Sequence, residues 1–288
     1  MALNKLHKKD FAIAVKTGDA NNDHLKFARQ ASKGEMFYNT FDDKLYIATS
    51  DAGASDAILY NTDAFTLTPA PFINAYSINF DGTGDYVDVG ALSAINSATQ
   101  FTISWWQKTS TAGKMIFSGG SNDRGQTLAS GVQFRVGGTS NNIGTGNYVN
   151  GNWHQLTLTY NAGTVNLFAN GSSTADGTAS NYPSSIGASS YNTFKLGQVA
   201  NAYYFNGYID EVAVWNTALA SSEIPDIQAN GTAINLKDNN GNYTSSANLV
   251  HYWRGGDNDL GQGTTLTDDK GSVDGTLSGD AQFETEAP

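Results

Sequence analysis

The side chains able to do chemistry here are mostly carboxylates, phenols and amides. There is no cysteine and there are only four histidines, so thiolate metal sites and disulfides are ruled out and imidazole chemistry is scarce. His154 and His251 fall in strand-like alternation, and no Gly-x-Ser-x-Gly turn exists to present a serine nucleophile. Oxygen ligands are better supplied. Asp81, Asp85 and Asp210 are candidate Ca2+ ligands, because hard cations take carboxylates together with backbone carbonyls. Asp81 and Asp85 bracket Gly82-Thr-Gly84 and would serve equally as caps of that turn, which joins two strands and so is no phosphate loop. Asp210 and Glu211 alternate across a strand, so one must face inward or lie at a sheet edge, where a satisfied polar network would also account for it. Sugar recognition needs an aromatic plate beside amide or carboxylate groups. Tyr182, Tyr191, Tyr203 and Tyr204, with Asn192 and Asn201, lie in loop-like sequence and are the candidate carbohydrate-binding residues.

The elements that must position these residues are strands. Gly, Asn, Ser and Thr crowd between short apolar runs, and stretches of helical composition are nearly absent. From Ala75 onward period-two alternation is strong, as in Trp153-His-Gln-Leu-Thr-Leu-Thr-Tyr160, where Leu156 and Leu158 would point to a core on one face and Gln155, Thr157 and Thr159 outward. Many short strands with turn signals predict an all-β antiparallel sandwich over 71–288. One helix is expected at 223–229, capped by Ser222 and stopped by Gly231, covering a sheet edge. Strand-like sequence after it, Leu249-Val-His-Tyr-Trp-Arg254 and Gly275-Thr-Leu277, would complete the same sandwich from 245–288.

Residues 1–70 read as a separate β-rich arm, with a hairpin turn at Asn39-Thr-Phe-Asp-Asp43 and a hinge at Thr68-Pro-Ala-Pro71. The arm has too few apolar residues for a core of its own, which suits packing on neighbouring chains. Charge divides likewise: residues 1–76 hold 8 Lys/Arg against 9 Asp/Glu, and residues 77–288 hold 8 against 18. So acidic a body disfavours nucleic acid. No apolar run of membrane-spanning or signal-peptide length occurs in the sequence.

Six segments in order, Ser77-Ile-Asn-Phe-Asp-Gly-Thr-Gly-Asp-Tyr-Val-Asp-Val89, Phe101-Thr-Ile-Ser-Trp-Trp106, Asn152 to Tyr160, Val165-Asn-Leu-Phe-Ala-Asn-Gly171, Lys195-Leu-Gly197 and Phe205 to Trp215, resemble the LamG-like jelly rolls of the concanavalin A-like lectin/glucanase superfamily. The resemblance implies a concanavalin A-like sandwich. It also raises glycoside hydrolysis, but the Glu-x-Asp-x-Glu strand of the resembling glucanases is absent, and Asp85 and Asp88 fall on opposite faces of one strand. The segments 249–257 and 268–277 also resemble the family, in permuted order. Lys33-Gly-Glu-Met-Phe-Tyr-Asn-Thr-Phe-Asp-Asp-Lys-Leu-Tyr-Ile47 is similar to a segment found near the start of phage fibre proteins. The resemblance therefore implies a non-catalytic protein of the virion surface. It would be a fibre component binding host glycan, most often as a trimer and joined to other virion proteins through residues 1–70, or else a capsid or tail decoration with a structural role.

Overall fold

The computed structural model describes residues 72–119 and 122–288, together with four short strands among the first 71 residues. The chain divides into two units, Met1–Pro71 and Phe72–Pro288. In the first, β1 (Ala14–Lys16), β2 (Met36–Asn39), β3 (Lys44–Ala48) and β4 (Leu59–Asn61) form one sheet in that order. β2 and β3 pair antiparallel across 40–43, from Asn39 opposite Lys44 to Met36 opposite Ile47. The proline hinge expected at 68–71 lies outside the described residues.

The second unit is all strand and turn. Its strands are β5 (Ser77–Asp81), β6 (Tyr86–Gly90), β7 (Gln100–Lys108), β8 (Met115–Ser118), β9 (Arg124–Thr127), β10 (Val132–Val136), β11 (Thr139–Ile143), β12 (Trp153–Asn161), β13 (Thr164–Ala169), β14 (Gly177–Ala179), β15 (Phe194–Leu196) and β16 (Asn206–Trp215). After a loop layer come β17 (Leu249–Trp253), β18 (Thr265–Leu266), β19 (Gly275–Ser278) and β20 (Gln282–Glu284). One sheet runs β14-β13-β12-β7-β16-β5-β20, with β17 also on β16; the other runs β11-β10-β9-β8-β15-β6-β19-β18. All these pairings are antiparallel, so the unit is an all-β sandwich whose last four strands are shared between both sheets.

Alternation explains the core. Phe101, Ile103 and Trp105 of β7, Leu156, Leu158 and Tyr160 of β12, and Val212 and Val214 of β16 meet Val87, Phe117, Val132, Phe134, Val136 and Leu196 of the facing sheet. Leu156 and Leu158 point inward as the pattern requires. The expectation of a core on one face only is corrected. Ala213 and Trp215, which alternate with the valines of β16, enter a second cluster with Phe168, Leu219, Ile224, Ile227, Leu236, Tyr243, Leu249 and Tyr252. The segment between β16 and β17 thus lies across the outer side of the first sheet, and Gln155, Thr157 and Thr159, expected to face outward, are buried, as is Ser104 beside them. Burial without pairing would cost each of these polar groups dearly. The Gln155 amide nitrogen donates to Ser104 Oγ (2.7 Å) and Thr157 Oγ1 (2.8 Å), while its Oε1 is buried without a partner.

The expected helix is a single 3₁₀ turn, Ile224–Ile227, started by Glu223 rather than Ser222. Gln228 is already extended, and Ala229 and Thr232 pair with each other. Glu223 accepts the N–H groups of Ala220 (2.9 Å) and Thr244 (3.1 Å), pinning the layer at both sides. Its two isoleucines pack on a sheet face, not on an edge.

Asp268 anchors the following loop to β17. It accepts the N–H groups of Tyr252 and Gly271 (2.9 Å each), Lys270 and Val273 (3.2 Å each), and His251 Nδ1 lies 2.7 Å away. Burial works against its charge, but His251 and the N–H groups of Gly271 and Val273 outweigh burial and hold its carboxyl below the usual range. A depressed carboxyl stabilises the fold above the unfolded value of about 3.9 and loses that contribution as pH falls through the folded value. Asp268→Asn should therefore cost about 2–3 kcal/mol at pH 7, with parent and variant converging in denaturation curves taken downward from pH 4. A gap unchanged down to pH 2 would deny the charge any part. Leu158→Ala, at a site 1 % exposed, should cost about 3 kcal/mol in chemical denaturation; a loss below about 1 kcal/mol would contradict the packing described.

Candidate functional site

The six candidate sugar-binding residues do not form one surface. Tyr182 is buried against Phe134, and its hydroxyl donates to the Phe134 carbonyl at 2.8 Å. Burial pushes its phenol up to about 12. Tyr191 is 0 % exposed between Phe101 and Phe194, and burial raises its phenol well above the ordinary value. Both are corrected from binding candidates to core. The Asn/Ser/Gly-rich context marks a surface loop, but the loop closes one end of the sandwich and turns its large rings inward, where they gain most by burial. Asn192 is exposed, and its Oδ1 accepts from Asn96 (2.8 Å).

Asn201, Tyr203 and Tyr204 share the loop between β15 and β16. Tyr203 is 58 % exposed, and it and Asn201 hold φ angles of +57° and +56°. Such strain persists only where neighbours enforce it. Asn201 N–H donates to Gln198 Oε1 (2.8 Å), Val199 and Ala202 pair with each other, and Met115 N–H donates to the Tyr203 carbonyl (2.8 Å). The ring is therefore held out from a fixed base.

Tyr203 lies close enough to Arg124 of β9 to interact with it electrostatically. Arg124 belongs to the outer face of the second sheet, where Gln126, Gln133 and Asn142 stand in one cross-strand row and Arg124, Arg135 and Ser140 in the next. Gln133 donates to Asn142 Oδ1 at 3.2 Å. Side chains directly opposed on one sheet face sit roughly 5 Å apart at Cβ, so the rows form a grid of planar hydrogen-bonding groups. Farther along, Lys195 pairs with Asp88 (3.0 Å) and lies over the Tyr86 ring. Burial and the like charge of Arg135 lower the Arg124 guanidinium from its usual value. Amides offer donors and acceptors, and an exposed ring offers an apolar plate: the chemistry that vicinal hydroxyls require. Sequence reading passed over this grid. Its signal was the polar half of Val132-Gln-Phe-Arg-Val136; the flanking β9 and β11 carry too few apolar residues to register as strands.

The three candidate cation ligands are also divided. Asp81 Oδ1 accepts from Thr83 N–H (2.6 Å), and Asp85, 1 % exposed, accepts the N–H groups of Asp81 (2.9 Å) and Asp280 (2.6 Å). Both cap the Gly82-Thr-Gly84 turn. With Asn79, Asp280, Ala281 and Gln282 they line an open acidic cleft of about 490 Å³. Asp210 stands apart. Ile209 pairs with Ile78 and Asn206 with Asp81, so Asp210 lies four residues along β5 from Asp81, roughly 13 Å away at the rise of a strand. Asp81, Asp85 and Asp210 are therefore not one site, and among the described residues no three His, Asp or Glu side chains converge as a metal-ligand set.

With this geometry in hand, the chain can be placed among known proteins. A comparison with curated proteins gives no match. Among solved structures, a candidate carbohydrate-binding protein from Bacteroides ovatus is similar at a TM-score of 0.57 and 16% identity, over 88% of this chain and 70% of that one; at that identity it shows the fold. A heptameric SAP-like pentraxin from Limulus polyphemus aligns at a TM-score of 0.45 and 18% identity over 72% of this chain and 97% of its own. The fourth domain of an extracellular arabinanase from Geobacillus stearothermophilus aligns at 0.42 and 18%, over 53% and 87%. Neither of these two carries an argument. Residues 81–225, half of the chain, match the laminin G type of the family described as the concanavalin A-like lectin/glucanases superfamily, and to that family the chain belongs.

Proposed function

We propose that this chain is a non-catalytic glycan-binding module displayed on a virion surface, with the outer face of its second sheet as the binding surface. The observation that carries the reading is the exposed Tyr203, fixed beside the Arg124, Gln126, Gln133 and Arg135 grid. The Bacteroides ovatus protein of the same fold supports it as a candidate carbohydrate binder. The absence of a catalytic role is supported by how carboxylates are engaged: Glu211 bonds Tyr252 and faces Arg254, Glu223 caps two N–H groups, and Glu286 pairs with Lys108. The virion setting rests on the segment from 33 to 47 and its paired hairpin strands. In that setting residues 1–70 attach the body to other virion proteins, and a trimer gives three weak sites the benefit of avidity.

On a glycan array the full chain should retain host-surface polysaccharides. Tyr203→Ala should weaken binding about tenfold, the scale of a lost aromatic plate, and Gln133→Ala should weaken it measurably. Tyr182→Phe, inside the core, should leave binding unchanged. No retention on the array, or full retention by Tyr203→Ala, would favour a purely structural decoration and end the glycan reading.

A further inference from the structure

Where β12 begins, the first sheet carries a row of side chains that alternation turns away from the core. Trp153 stands opposite Lys108, Lys108 opposite Tyr208, Tyr208 opposite Asn79, and Asn79 opposite Gln282. Directly opposed residues share a sheet face, and their strand neighbours Gln107, Ile209, Ile78 and Phe80 are the ones buried on the inner side. Four members of the row are half-buried and Gln282 is exposed. The layer between β16 and β17 packs around Ala213 and Trp215, and Tyr208 lies five residues back along β16 from Ala213.

Two rings meet in this row. The Trp153 and Tyr208 centroids are 6.2 Å apart with their planes at 47°, and Lys108 Nζ lies 5.9 Å from the Tyr208 ring centre. A carboxylate closes the row. β20 ends at Glu284, and two residues past that ladder Glu286 Oε1 accepts from Lys108 Nζ (2.7 Å) and from the Trp153 indole N–H (3.1 Å). Lys108 first, and Trp153 with it, outweigh burial and hold the Glu286 carboxyl below the usual carboxylate range.

As a structural clasp this contact is weak. The side chains of Lys108 and Glu286 are 32 % and 38 % exposed, and ion pairs so open to water add little to a fold. As a recognition element it is specific, because an amine and an indole N–H converge on one oxygen beside two rings. A neutral ligand that displaced Glu286 would leave both donors unmatched, whereas a ligand carboxylate would satisfy them again.

We propose that the row of Trp153, Lys108 and Tyr208 is a second glycan-binding site, selective for a hexuronate residue, and that Glu286 occupies it in the free protein in place of the sugar carboxylate. A hexuronate presents C–H groups on a ring face and a carboxylate at the ring edge. The face stacks on the aromatic plate, the carboxylate takes over Lys108 Nζ and Trp153 Nε1, and Asn79 and Gln282 offer amides to the hydroxyls. One carboxylate replaces another, so the charge around Lys108 is unchanged. The site lies on a different sheet from the Tyr203 surface and does not rest on it. Asp81, Asp85 and Asp280 line the adjoining cleft with Asn79 and Gln282, and their repulsion of an anion is screened near 0.15 M salt, where the Debye length is about 8 Å.

The test is calorimetric titration of the full chain, at about 0.15 M salt, with an oligogalacturonate and with a neutral galacto-oligosaccharide of equal length. The uronate should bind the more tightly. Glu286→Ala should strengthen uronate binding about fivefold, the scale of one exposed ion pair removed as a competitor. Glu284→Ala removes an equal charge without touching Lys108 and should change affinity less than about twofold. Lys108→Gln should erase the preference for the uronate. Trp153→Ala should weaken uronate binding at least about tenfold; Trp153→Phe, which keeps a ring should the alanine variant fail to fold, should weaken it at least about fivefold by losing the indole donor. Tyr203→Ala should leave uronate affinity unchanged, so this proposal and the glycan reading of the other sheet fail independently. The proposal is overturned if the uronate binds no more tightly than the neutral sugar, if Glu286→Ala leaves its affinity unchanged or lowers it, or if Tyr203→Ala abolishes binding that Trp153→Ala retains.

Discussion

The body depends on β16 being buried from both sides. Val212 and Val214 face the sandwich core while Ala213 and Trp215 face the layer between β16 and β17, so one strand nucleates two apolar clusters at once. The Trp215 indole N–H donates to the Tyr243 hydroxyl at 2.9 Å, which in turn donates to the Leu236 carbonyl at 2.8 Å, tying the covering layer to the strand through groups that would be costly to bury unpaired. Because β7, β5 and β17 all pair with β16, disturbing it loosens every strand of that sheet's centre.

The segment between β16 and β17 covers the outer side of the first sheet at Ala213 and Trp215, while on the outer side of the second Arg124, Gln126, Gln133 and Arg135 are half-buried. On that face the apolar half of β10, Val132, Phe134 and Val136, is locked in the core, so Gln133 and Arg135 project from a rigid base. The Tyr203 loop is rigid for another reason: positive φ angles held by Gln198 and Met115. A surface arranged in this way loses little conformational freedom on binding. The body carries an excess of acidic residues, yet two arginines oppose each other on this face.

Acidic residues divide into two populations by what surrounds them. Asp85 and Asp268 each accept several backbone N–H groups and order turns. Asp210 and Glu211 sit in a bulge between two strands that end on either side, where backbone donors are few and the one guanidinium, Arg254, is shared with Asp257. The same residue type is a cap in one setting and, in the other, a carboxyl that burial pushes toward its neutral form.

Local pattern alone determined the all-β class, most of the strands and the inward direction of Leu156 and Leu158, because alternation along a strand follows from backbone geometry and needs no distant partner. It also carried the family resemblance, through six ordered segments whose side chains close the core. What only tertiary structure decided is which face or loop remains open to solvent. Tyr182 and Tyr191 sit in sequence as polar as that around Tyr203, yet two turn into the core and one projects outward. Gln155 and Thr157 alternate as solvent-facing residues do, but a segment more than 60 residues away covers them. Asp210 was separated from Asp81 by strand register, and its neighbours Asn74 and Gly255 lie more than 40 residues away in either direction. Exposure and convergence depend on where remote segments pack, and short-range periodicity carries no record of that.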